Sequence, residues 1–113
     1  IGKVAAMLGT LLHIKPIITC NEEGYYVVAS KVRGRAQAIA ETIALAVNEA
    51  KKHVKYRLAI ASGDANEEAR RVMAELKRLL PDCGEIIFSD VSPALVVHTG
   101  PGLIGIGVQA LPV

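Results

Sequence analysis

The chain has 113 residues, of which 51% are apolar, and a formal net charge of +2 from 13 Lys and Arg against 11 Asp and Glu. That is the size of one domain, 1–113, with enough apolar material for an ordinary core. Interleaved charges and scarce aromatics give no case for nucleic acid. No apolar run approaches the roughly 20 residues of a membrane span, and the start lacks the basic residues and cleavage site of a signal peptide. Beginning with Ile1 in a segment already under way, the sequence reads as a piece of a longer chain. Cys20 and Cys83 are the only cysteines. Without a C-x-x-C or a histidine at ligand spacing, they read as buried free thiols, and no metal site is expected.

In chain order, Val4, Met7, Leu8, Leu11 and Leu12 recur at helical spacing and predict a short helix over 2–13, stopped before Pro16. Residues 16–20 and 25–29 read as strands joined through Asn21-Glu22-Glu23-Gly24, a hairpin. From about Gly34 the period becomes helical, with Ala36, Ile39, Ala40, Ile43, Ala44, Val47 and Ala50 as a narrow apolar stripe. Lys51, Lys52, His53 and Lys55 follow as a solvated cationic helix end.

Arg57 to Ala61 is a short strand of buried type. Beyond Ser62-Gly63-Asp64 a second long helix turns Ala69, Val72, Met73, Leu76 and Leu79 inward; Asp64 and Glu67 have capping-box spacing, and Asn66 could cap instead. Residues 85–89 form the next strand, so 57–89 is a right-handed β-α-β unit. Ser92-Pro93 opens a brief helix to about Val97, and 103–108 is the last strand. These elements sum to an α/β fold, a two-layer sandwich: a mixed sheet of about five strands with two long helices on one face.

Gly100-Pro101-Gly102-Leu103-Ile104-Gly105 spells G-x-G-x-x-G. Pro101 removes one N–H donor from the phosphate cradle, and no room remains for the helix, the strand and the ribose-binding acid of a dinucleotide site. His98 has two readings. Its ring nitrogens could be satisfied by a backbone carbonyl or Thr99; alternatively His98 and Thr99 donate to an anion, with backbone N–H groups of the following turn at close range. Arg33 and Arg35, between a strand and a helix, are exposed charge at a connection or partners for a carboxylate or phosphate. Cations at a helix N-terminus are electrostatically odd unless something negative arrives. No nucleophile, base and orienting group come together.

Leu8-Gly9-x-Leu11-Leu12-x-Ile14-Lys15-Pro16-Ile17-Ile18, Lys31-Val32-Arg33, Ser62-Gly63-Asp64-Ala65-x-Glu67-Glu68-Ala69 and His98-Thr99-Gly100-Pro101-Gly102 occur in an order and spacing that resemble the DegV family, across its C-terminal domain. The resemblance implies a bacterial, cytoplasmic protein that binds a long-chain fatty acid near the junction with an N-terminal domain. FakB-like members present the carboxylate to a partner fatty acid kinase and are not enzymes themselves; no cofactor is implied. Carried over by position, His98, Thr99 and Gly100 would lie at the carboxylate, and Arg33, or Arg35, at the kinase contact or phosphotransfer. Leu8, Leu12, Ile17, Leu103 and Ile104 are the acyl-chain candidates. His13 stands where the family pattern leads one to expect asparagine. Two other classes stay open: a small-molecule enzyme using His98 as acid or base, and a ligand-free structural or regulatory domain.

Overall fold

A computed structural model describes residues 14–20, 26–90 and 102–113. The expected helix over 2–13, the hairpin turn, the brief helix before Val97 and the turn of His98 to Gly100 lie outside the described residues. Seven elements follow in the order β1 (Ile14–Cys20), β2 (Tyr26–Arg33), α1 (Arg35–Ala50), β3 (Tyr56–Gly63), α2 (Asn66–Leu79), β4 (Ile87–Asp90) and β5 (Leu103–Ala110). The backbone divides into two units, Ile1–Thr42 and Ile43–Val113.

In the first unit β1 and β2 pair antiparallel, from Cys20 opposite Tyr26 to Ile14 opposite Arg33. The register slips between Ile17, opposite Ser30, and Ile18, opposite Val28, so Ala29 is the extra residue of a bulge. Pro16 is tolerated because this two-stranded sheet has only edges. β2 runs on to Arg33, four residues past the expected strand end, which puts Arg33 on a strand rather than in a connection.

In the second unit β3 lies between β4, parallel to it, and β5, antiparallel. The parallel pair with α2 between is the expected β-α-β crossover. Among the described residues five strands and two long helices give the α/β class, the strands being hydrogen-bonded as a two-stranded antiparallel sheet and a three-stranded mixed sheet. Side chains alternate along β3: Leu58, Ile60 and Ser62 are buried, whereas Arg57 is exposed and Ala59 and Ala61 are half-exposed. Against the buried face packs α2, through Ala69, Val72 and Leu76. Met73 and Leu79, expected inward, flank this stripe half-buried.

Two sequence expectations need correction. On α1 the buried residues are Ile43, Ala46, Val47 and Ala50, whereas Ala36, Ala40 and Ala44 are exposed. A set at i, i+3, i+4 and i+7 is one helical face, and the small alanines matched two faces equally well. At the start of α2, neither Asp64 nor Asn66 caps. Helix α2 begins behind Ala65 with no side-chain cap, and Asp64 takes a left-handed φ of 56°. The polar stop is made one turn earlier, where the Ala65 N–H donates to Ser62 Oγ at 3.2 Å. The cations after α1 are solvated as expected: Lys52 and His53 both reach back to Glu49. Cys83 is a buried free thiol.

Candidate functional site

In the second unit, the junction into β5 is fixed by backbone. Gly102 has φ 94°, a left-handed conformation that favours glycine, and its N–H donates to the Gly63 carbonyl at 2.7 Å. That bond ties the residue following His98-Thr99-Gly100-Pro101 to the C-terminal end of β3. Leu103 then lies opposite Gly63, and Ile104 opposite the buried Ser62. Directly opposed residues share a face and successive ones alternate. Leu103 therefore stands on the face of Ala59 and Ala61, and Ile104 on the face that α2 covers. Both are half-buried, but one wall of the sheet can take only one of them.

The middle of the Leu103 face carries small residues, with Arg57 opposite Gln109 at its far end. Gly105 pairs with Ala61 and Gly107 with Ala59; on the other side of β3, Ile87 pairs with Ala59 and Ser89 with Ala61. Ile87 is 48% exposed although it is a large apolar side chain in a strand. At the opposite end of β3 from Gly63 lies a surface hollow of about 460 Å³, lined by Tyr56, Arg57, Cys83, Glu85, Ile87 and Leu111. The Tyr56 hydroxyl donates to Asp82 Oδ1 at 2.6 Å; partial burial and this carboxylate push the phenol up to about 12, so it is neutral at physiological pH.

The arginine motif sits in the first unit. Arg33 ends β2, Gly34 turns the chain at φ 83°, and Arg35 begins α1, whose first turn has no acidic residue. Gly34 gives its carbonyl to the Ala38 N–H at 3.1 Å, so the helix hydrogen bonds start at the glycine. Both arginines are exposed, and the glycine between them lets strand and helix follow each other without a loop. The positive end of the helix dipole and the basic residues thus coincide, an arrangement suited to an anionic partner. Ile17 is buried at 8% exposure. His98, Thr99, Gly100, Leu8 and Leu12 lie outside the described residues.

In β5 the alternation Gly105-Ile106-Gly107 leaves one face of the strand without side chains at two successive positions. Among the described residues no cluster of His, Cys, Asp or Glu could hold a metal ion, and no helix is long and apolar enough to cross a membrane.

The family model described as "Uncharacterised protein, DegV family COG1307" matches residues 1–111. A DegV domain-containing protein of Clostridium perfringens is 38% identical over 109 residues, covering 96% of this chain and 38% of the relative. One from Clostridium acetobutylicum is 36% identical over 107 residues, covering 94% and 37%. The chain therefore spans well under half the length of these relatives. Among solved structures, a fatty acid binding DegV family protein from Streptococcus agalactiae matches with a TM-score of 0.78 at 25% identity, over 96% of this chain and 38% of that one. DegV of Bacillus subtilis, described as a fatty acid binding protein, matches with a TM-score of 0.72 at 28% identity, over 97% and 38%.

Proposed function

This chain belongs to the DegV family, and from that premise we infer that it is the lipid-binding C-terminal domain of a two-domain, cytoplasmic fatty-acid carrier. The observation that carries the reading is a match over nearly the whole chain to a family whose solved members include proteins described as fatty acid binding. The chemistry of the residues supports it. A fatty acid needs hydrogen-bond donors for its carboxylate and a dry wall for its tail, within a few residues of each other. Here His98, Thr99 and Gly100 provide donors, and the apolar strand β5 starts three residues after Gly100. Leu103 or Ile104 supplies part of the wall, with Leu8, Leu12 and Ile17 as further acyl contacts.

The domain carries and presents; it does not catalyse. A partner fatty acid kinase transfers the terminal phosphoryl group of a nucleoside triphosphate to the carboxylate, forming the acyl phosphate and releasing the nucleoside diphosphate, and Arg33, or Arg35, offers that partner or the incoming phosphate a guanidinium group at a helix start. The N-terminal domain of the parent completes the site.

The test is mass spectrometry of an organic extract from the full-length parent, purified without added lipid, beside its His98→Ala variant. A near-stoichiometric fatty acid in the parent, depleted in the variant, is the expected result. Fatty acid retained equally by both, together with unchanged acyl phosphorylation, would refute the role of His98. A parent that neither carries fatty acid nor gains thermal stability from added palmitate would refute the carrier reading itself.

A further inference from the structure

We draw no further inference here: the strongest candidate, the surface hollow of about 460 Å³ at the end of β3 opposite Gly63, where Arg57 and Glu85 set opposite charges beside Ile87 and Leu111, carries nothing, because among the described residues no buried unpartnered polar side chain exists to point into it and nothing in the structure shows what covers it.

Discussion

Replacing Ser62 with alanine isolates the contact that ends β3 and starts α2. Ser62 is 1% exposed and its Oγ accepts the Ala65 N–H at 3.2 Å, while Ala65 is itself 8% exposed. Water therefore has little access to that N–H once the hydroxyl is gone. The loss is the desolvation of an unpaired buried donor, about 1–3 kcal/mol, rather than the smaller net value of an exchanged hydrogen bond. Because α2 has no other side-chain cap, no second group takes over. At about 4–8 °C of melting temperature per kcal/mol for a domain of roughly this size, a drop of at least about 4 °C is expected. Urea unfolding followed by circular dichroism should give a lower midpoint at an unchanged slope. Threonine at the same position keeps the oxygen and should recover most of the loss. The reasoning fails if Ser62→Ala costs less than about 0.5 kcal/mol, the scatter expected of an inconsequential surface change.

Leu76→Ala removes a fully buried side chain from the α2 face that meets β3 and should cost about 2–5 kcal/mol in the same assay, whereas Val54→Ala, at an 80% exposed position, should stay within about 0.5 kcal/mol; equal effects would mean that α2 is turned differently. Alkaline titration probes Tyr56. Its folded phenol is raised to about 12 by partial burial and Asp82, above the ordinary value of 10.0, so its contribution to stability is complete below pH 10 and is lost as pH rises from there towards 12. Tyr56→Phe should flatten that part of the stability curve, and a curve identical to the parent's would show that the Asp82 contact does not form in solution.

Periodicity alone located α1, α2 and the strands, because a helix and a strand each expose a face to be buried and the sequence must repeat at 3.6 or 2 to fill it. The capping of α2 was not legible. Three polar residues lie within five positions, and which one bonds depends on the backbone: Asp64 has a left-handed φ of 56°, and it is Ser62 Oγ that accepts the Ala65 N–H. The same ambiguity hid the buried edge of α1, where alanines satisfy either face.

By itself, then, the sequence determined the element order, the β-α-β crossover and, through four motifs in register, the family, since each of these is a local pattern or a sum of local patterns. Tertiary structure decided what no spacing encodes. Arg33 and Arg35 flank a single glycine between strand and helix because β2 runs four residues further than its apolar pattern. Leu103 and Ile104, adjacent in sequence and similar in hydrophobicity, point to opposite faces by strand alternation, and the register of β5 on β3 decides which of them joins the face that α2 covers. That register is fixed by cross-strand partners some forty residues away in the chain, so the face a side chain serves becomes known only when the strands pair.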